Sequence, residues 1–380
     1  MSEAIYLDYN ATAKTRPEAV QAVADALASW ANPSSVHAAG RLARAAVEAA
    51  RADVAVLVGA TADQVTFVSG GAEANAQVIL GAREAGAGRV IIGATEHETV
   101  TENAAACGLP VEAWPVDSAG RAELGWLEDH LAAAPRALVC LMLANNETGV
   151  IQPVAEAAAI VRDAGGWLHV DAVQAAGKIA VEIAALGADT LALSAHKLGG
   201  PPGIGALIAG PRARVHPLIR GGGQEGGLRS GTLNAPGVAG FAAAARSASR
   251  DLPALTSQIA WRSLLESKIE EAGAIVLGKS APRLPQTLCF STPDFGSDVQ
   301  VMAMDLAGVM ISAGAACSSG RVKASRVAAA MGRPELAPFA VRISGGWASG
   351  EDDWNRCGEA WLAAFARHDG RRNAPLGRAA

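Results

Sequence analysis

An α/β fold, with a large domain on a mainly parallel seven-stranded sheet and a smaller α+β domain, is predicted by three features of this sequence. Short apolar runs alternate with alanine-rich helical stretches from about Ala60 to Ala209. The runs are continuously apolar, as strands buried on both faces are. Beyond Gly273 the pattern changes to shorter strands and helices, which reads as a second domain. A chain of 380 residues also exceeds one small core.

In chain order, strands are predicted over Gln64–Ser69, Arg89–Gly93, Val111–Val116, Ala137–Ala144, Trp167–Val170, Thr190–Leu193 and Ile204–Ala209. Helices are predicted between them, among them Ala72–Ala85, Val100–Cys107, Leu124–Ala133 and Pro153–Ala164. Such alternation gives a parallel sheet covered on both faces. The alanine-rich stretch Pro236–Glu271 reads as helical, kinked or broken at Pro253. The second domain is expected to hold strands Gln286–Ser291, Val309–Ser312 and Phe339–Ser344. From Arg371 the chain is polar and is expected to fray.

Composition excludes several classes of function. Half the residues are hydrophobic but only 4% are aromatic, which favours helices packed closely on a sheet. The net charge of −5 points away from nucleic acid or an acidic membrane surface as partner. Met-Ser-Glu-Ala-Ile at the start has no basic or apolar region of a secretory signal. Apolar runs such as Ala137–Ala144 fall far short of the ~18 residues of a membrane span. Cys107, Cys140, Cys289, Cys317 and Cys357 form no CxxC pair and no metal-ligand spacing, so no metal is expected. A reduced, cytoplasmic setting follows. Four of these cysteines read as packing residues; Cys317 lies in a Gly/Ser/Ala-rich segment instead.

The chemistry gathers at strand ends. In Thr190–Gly205, TLALSAHKLGGPPGIG, an apolar strand runs into Ser194, His196 and Lys197 before a Gly/Pro turn. A strand-end lysine is costly to desolvate, and desolvation lowers its pKa, which suits imine formation with an aldehyde cofactor. Asp171 ends the apolar run of WLHVDAVQ. A carboxylate there needs a cationic partner, and a pyridinium nitrogen is one. QVTFVSGGAEAN (Gln64–Asn75) places Gly71 and Ala72 at a strand–turn–helix junction whose amides can cradle a phosphate. ATEHETV places His97 at another such junction, and LANNETG ends a further strand in Asn145 and Asn146. One site at the sheet's carboxyl edge accommodates all of these.

SxHKxxGPxG, HxDAVQxxGK, NNETG, TEH, NPSSVH (Asn32–His37) and GGGQEGGLRSGT (Gly221–Thr232) together resemble the cysteine desulfurases, class V members of the fold-type I PLP-dependent transferases. The resemblance runs from YLDYNAT (Tyr6–Thr12) to VRIS (Val341–Ser344). Ser312–Arg326, SAGAACSSGRVKASR, is similar to the longer cysteine loop of the NifS/IscS-like branch. The resemblance implies pyridoxal 5′-phosphate (PLP) on Lys197, which also moves the substrate's Cα proton. Asp171 then pairs with the ring nitrogen, His97 stacks on the ring and shuttles a proton, and Gln174 and Asn146 bond near the phenolic oxygen. Gly71, Ala72, Ser194 and His196 would contact the phosphate, with Thr232 reaching the phosphate of a neighbouring subunit in a homodimer. Arg342, with Asn146 beside it, would bind the substrate, and Cys317 would be the nucleophile on a mobile loop of about 312–325.

The implied activity is removal of sulfur from L-cysteine, giving L-alanine and a Cys317 persulfide. The sulfur would pass to an iron–sulfur scaffold or a tRNA-thiolation enzyme. The expected division is a large PLP-binding domain at 13–250 and a small domain of 1–12 with 251–380. The chain departs from the family pattern in three places: Ala72 replaces a threonine, Gly226 an arginine, and the segment after Arg342 reads Ser-Gly-Gly-Trp (Ser344–Trp347) in place of Ser-Leu-Gly/Ser-Arg. Two other readings stay open: another class V PLP reaction, such as selenocysteine lysis or transamination, and a degenerate paralogue without catalysis.

Overall fold

All seven apolar runs between Ala60 and Ala209 form strands of one sheet. The computed structural model describes residues 4–29, 31–133, 136–314 and 324–372. Across the sheet the order is Val65–Val68, Gly205–Ala209, Thr190–Ser194, Trp167–Asp171, Ala137–Met142, Arg89–Gly93 and Val111–Trp114. Gly205–Ala209 is antiparallel to both neighbours, and the remaining pairs are parallel.

Side-chain alternation explains why the runs are apolar throughout. Ile91, Val139 and Leu168 point into one core, whereas Val90, Ile92, Leu138 and Cys140 point into the core on the other face. Each inner strand is therefore buried on both sides. Val111–Trp114 lies at the edge and leaves Val111 and Ala113 exposed. Helices Pro17–Ser29 and Ala38–Val56 precede the sheet and were not among the predicted elements.

Past the sheet, the alanine-rich stretch is two helices, Ala235–Leu255 and Gln258–Glu271. The break falls at Thr256–Ser257, after Pro253 and not at it. Pro253 sits in the last turn of the first helix, where Thr256 Oγ1 donates to its carbonyl at 2.6 Å. A four-stranded antiparallel sheet follows, in the order Ser312–Ala313, Ala340–Ser344, Thr287–Ser291 and Ile275–Val276. Leu288, Phe290, Val341, Ile343, Trp354 and Trp361 fill the core beneath it.

The predicted strand Val309–Ser312 is two short strands that pair in different sheets. Val309–Met310 runs parallel to the N-terminal Ile5–Tyr6, while Ser312–Ala313 joins Ala340–Ser344. Asp8 also bridges to Ser344. The N-terminal segment thus packs on the C-terminal third of the chain and carries Asp8 and Asn10 toward the end of the large sheet. Of the loop read as about 312–325, Ser312–Ala313 is strand and Ser325 caps helix Arg326–Ala330, its Oγ accepting from Ala328 N at 3.0 Å. Cys317 lies outside the described residues. Among those residues no helix is long and apolar enough to cross a membrane.

Candidate active site

Five strands of the large sheet end beside one cavity of about 430 Å³. Gly71 follows Val65–Val68, His97 follows Arg89–Gly93, and Asn146 follows Ala137–Met142. Asp171 closes Trp167–Asp171, and Ser194 to Lys197 follow from Thr190–Ser194. Arg342 enters the same cavity from the C-terminal sheet. Every described residue assigned a role from the sequence lines this cavity, except Thr232, which is exposed elsewhere on the chain.

The phosphate end is built from glycines and a helix start. Helix Gly71–Leu80 is capped by Gly70, which supplies no side-chain acceptor to its first amides. A side chain at Gly205 would meet Gly70 Cα at 2.6 Å, and one at Gly71 would meet Val173 at 2.5 Å. Glycine at both positions lets the turn and helix start pack closely against the neighbouring strand and Val173. Ser194 is buried beside this helix start. His196 pairs with Thr12 Oγ1 at 3.2 Å, and burial, with help from Lys197 and Lys178, lowers its pKa to about 4. It is therefore neutral at physiological pH.

Lys197 stands at the centre. Its Nζ donates to the carbonyls of Asn10 at 2.6 Å and Ala11 at 2.8 Å, so the N-terminal segment fixes the amine. Asp171 accepts from Val173 N at 3.0 Å and from Asn75 Nδ2 at 2.9 Å. His97 is the N-cap of helix Glu98–Ala106. The two asparagines of NNETG separate in role: Asn145 builds the turn by accepting from Glu147 N and Thr148 N, while Asn146 lines the cavity.

Around these lie further buried and half-buried groups, of which Lys178, Asn10, Asp8 and Glu96 had no role assigned from the sequence. Lys178 is wholly buried; its Nζ donates to Gln174 Oε1 at 2.5 Å and to Asn10 Oδ1 at 3.1 Å. Burial pushes its pKa well below the lysine range, and the Lys197 and Arg342 cations push the same way. Because an amine donates here, Gln174 presents its own Nε2 elsewhere, to Asn10 O at 2.8 Å. Arg342 donates to Asp8 Oδ1 at 2.7 Å and to Asn146 O at 3.0 Å. Among the described residues its buried Nε has no partner. Glu96, next to His97 in the chain, is buried and accepts from Met142 N at 2.6 Å, while among the described residues its Oε2 has no partner. Burial, with Asp171 nearby, raises its pKa to about 8. Lys178 stood inside HxDAVQxxGK, and that motif was the one available signal for it.

The departures have local explanations. Ala72 offers a methyl on the exposed first turn of its helix. Gly226 has φ +63°, a conformation that favours glycine, and the loop is anchored by its neighbour. Glu225 accepts from Arg51 at 2.7 and 2.8 Å and from Phe67 N at 2.6 Å. Trp347, where the family pattern set out above has arginine, donates to Lys14 O and lies under the Arg16 guanidinium at 5.0 Å. A side chain at Gly345 would meet Gln258 Oε1 at 2.1 Å and Trp354 at 3.1 Å, so Gln258 would have to shift to admit one.

The residues present fit PLP. An uncapped helix start suits a dianionic phosphate, a buried carboxylate suits a pyridinium, and a fixed lysine amine suits an aldehyde. The Arg342 guanidinium at the cavity wall suits a substrate carboxylate. Three of the described thiols are unsuited to nucleophilic use: Cys140, Cys289 and Cys357 are buried, and burial raises the pKa of each, that of Cys357 to about 12.

Comparison with known proteins agrees with this geometry. The family model for aminotransferase class-V matches residues 5–353. A cysteine desulfurase of Cereibacter sphaeroides is 40% identical over 362 residues, covering 90% of each chain. The structure of a NifS-like protein from Rickettsia africae superposes with a TM-score of 0.88 at 30% identity, over 96% of this chain and 100% of that one. A structure of SspA in complex with cysteine gives 0.76 at 27% identity, over 90% and 98%. With its sheet order, its strand-end lysine and aspartate, and these likenesses over nearly its whole length, the chain belongs to the class V aminotransferase family and, within it, to the PLP-dependent cysteine desulfurases.

Proposed function

We propose that this chain takes sulfur from L-cysteine, releases L-alanine and holds the sulfur as a persulfide on Cys317 for an acceptor protein. The convergence of Lys197, Asp171, His97 and Arg342 on one cavity carries this reading. The Gly71 and Ala72 amides, Ser194 and His196 would hold the phosphate, Asp171 the ring nitrogen, His97 the ring face, and Gln174 with Asn146 the phenolic edge. When bound, PLP supplies an aldehyde for the substrate amine and a pyridinium that draws electrons from Cα. Arg342 orients the substrate carboxylate through a guanidinium that Asp8 holds at 2.7 Å. Lys197 Nζ, which would hold PLP in the resting enzyme, would take the Cα proton of the bound substrate.

The Cys317 thiolate then attacks the sulfur of the bound L-cysteine. An S–S bond forms as the Cβ–S bond breaks, the bonding pair goes to Cβ, Cβ takes a proton, Lys197 returns to Cα the proton it took, and alanine leaves. The persulfide sulfur passes to an iron–sulfur scaffold or a tRNA-thiolation enzyme. A homodimer completes the site, with Thr232 reaching the neighbour's phosphate; its position outside this chain's own cavity supports that reading. A large domain at 13–250 and a small one of 1–12 with 251–380 is supported by the pairing of Ile5–Tyr6 with Val309–Met310. Unpaired thiols at Cys107, Cys140, Cys289 and Cys357 support a reduced, cytoplasmic setting.

The test is Cys317→Ala. The wild-type holoenzyme given L-cysteine should form persulfide and alanine together. The variant should bind PLP and L-cysteine, because Lys197, Asp171 and Arg342 remain, yet form no persulfide and almost no alanine. Full alanine production by the variant would refute the nucleophile and favour lyase or aminotransferase chemistry.

A further inference from the structure

We infer that Asn75 is a positioning residue that ties the Asp171 carboxylate to the His97 ring and holds that ring in the Nε2–H tautomer. The inference deepens the desulfurase reading and rests on it. A carboxylate can only accept, so the group of Asn75 that lies 2.9 Å from Asp171 Oδ2 is its NH2. That settles the amide's orientation, and the rest of the network follows from it.

Asn75 Oδ1 lies 2.9 Å from His169 Nε2, which must therefore donate. His169 Nδ1 then accepts from the Thr190 hydroxyl at 2.8 Å. Burial lowers the His169 pKa to about 4, against the pull of Asp171, which agrees with a neutral ring bearing one proton on Nε2. The second hydrogen of Asn75 Nδ2 goes to Thr99 Oγ1 at 2.9 Å. That oxygen accepts, and its own hydrogen is left for His97 Nδ1 at 2.9 Å.

The backbone amide of Thr99, which cannot accept, donates to the same Nδ1 at 3.1 Å. Two donors therefore face one lone pair, and the proton of neutral His97 resides on Nε2. A chain of directed bonds runs from Thr190 through His169, Asn75 and Thr99 to His97, with Asp171 fixing its sense. The consequence is chemical. Protonating Nδ1 would set N–H against N–H, so His97 works at Nε2 as a donor and is poorly placed to take a proton from a thiol. Lys197 is left as the base at Cα.

The test uses the holoenzyme with ¹⁵N-labelled histidine at about pH 8, above the ordinary imidazole range. The His97 resonances are assigned by their loss in His97→Gln. We expect the wild type to show a lone-pair Nδ1 and a protonated Nε2. Thr99→Val keeps the backbone amide but removes the hydroxyl. It should move the Nδ1 resonance toward that of an unbonded lone pair and lower kcat about 5-fold, the effect of one hydrogen bond, with little change in KM for L-cysteine. Thr99→Ser should restore both. Asn75→Ala should show the same Nδ1 shift; if it fails to fold, the Thr99 pair still decides. A protonated Nδ1 in the wild type would overturn the tautomer assignment. Thr99→Val with an unmoved Nδ1 resonance and wild-type kcat would overturn the relay while leaving the desulfurase reading intact.

Discussion

Restoring a hydroxyl at position 72 isolates one contact to the cofactor. Ala72 is exposed at the second position of helix Gly71–Leu80 and lines the cavity. Ala72→Thr adds a hydroxyl there without displacing packed neighbours. One hydrogen bond contributes about 1 kcal/mol, and up to about 3 kcal/mol when the acceptor is charged. Exposure screens that charge, so the lower figure applies, and PLP affinity should rise about 5-fold. The substitution has an opposite effect on the fold. Threonine is a poorer helix former than alanine, by up to about 0.6 kcal/mol in a helix interior and by less at a first turn. Tighter binding should therefore appear alongside equal or slightly lower stability of the apoprotein. Titration of apoprotein with PLP, followed by absorbance, measures the first; urea unfolding without PLP measures the second. Unchanged or weaker PLP binding would refute the reasoning, because another group would already fill the contact.

Three further outcomes are expected. Lys197→Ala should lose the near-visible absorbance of bound PLP and its borohydride-trapped form, since among the described residues no other amine occupies that strand end; retention of both with full turnover would sink the assignment. Mixing Lys197→Ala with Thr232→Ala chains should give heterodimers with one doubly damaged and one intact site if Thr232 acts across the interface, and about half the wild-type turnover per dimer; heterodimers with no intact site would place Thr232 in its own chain's site. Glu96→Gln should flatten the stability–pH profile. Burial holds Glu96 at about 8 against about 4.3 unfolded, so the folded chain binds the proton more tightly. Stability is then whole below the unfolded value and declines as pH rises toward about 8. Urea midpoints at about pH 5 and about pH 8 should converge in the variant; an unchanged gap would mean that Glu96 ionises without penalty.

Much of the large sheet was legible because its strands are buried on both faces. Arg89–Gly93 and Leu124–Ala133 formed over their predicted bounds, and the other strands shifted by one or two residues at their ends. The C-terminal region was harder to read. Val309–Ser312 looks like one strand, but its halves pair with different partners, Ile5–Tyr6 and Ala340–Ser344, the first about three hundred positions away. No local pattern encodes such a choice. Pro253 suggested a break by its missing N–H, yet the last turn tolerated it and the chain turned three residues later.

The site divides along the same line. Lys197, Asp171, His97 and Asn146 were readable because each follows an apolar run, so a single element sets its place. Asn75, Lys178, Asn10 and Asp8 were not, because two or more elements determine what each one meets. Asn75 sits inside helix Gly71–Leu80, where a polar residue ordinarily faces water. It is buried because that helix meets the start of Glu98–Ala106 on one side and the strand bearing Asp171 on the other. Asn10 belongs to a segment with no strong periodicity, yet its carbonyl receives both Lys197 and Gln174, and its side chain receives Lys178. Cavity-lining groups at strand ends are announced by the strand that presents them. Groups that set the proton and rotamer states of those residues depend on how separate elements close around them, and only the folded chain reveals them.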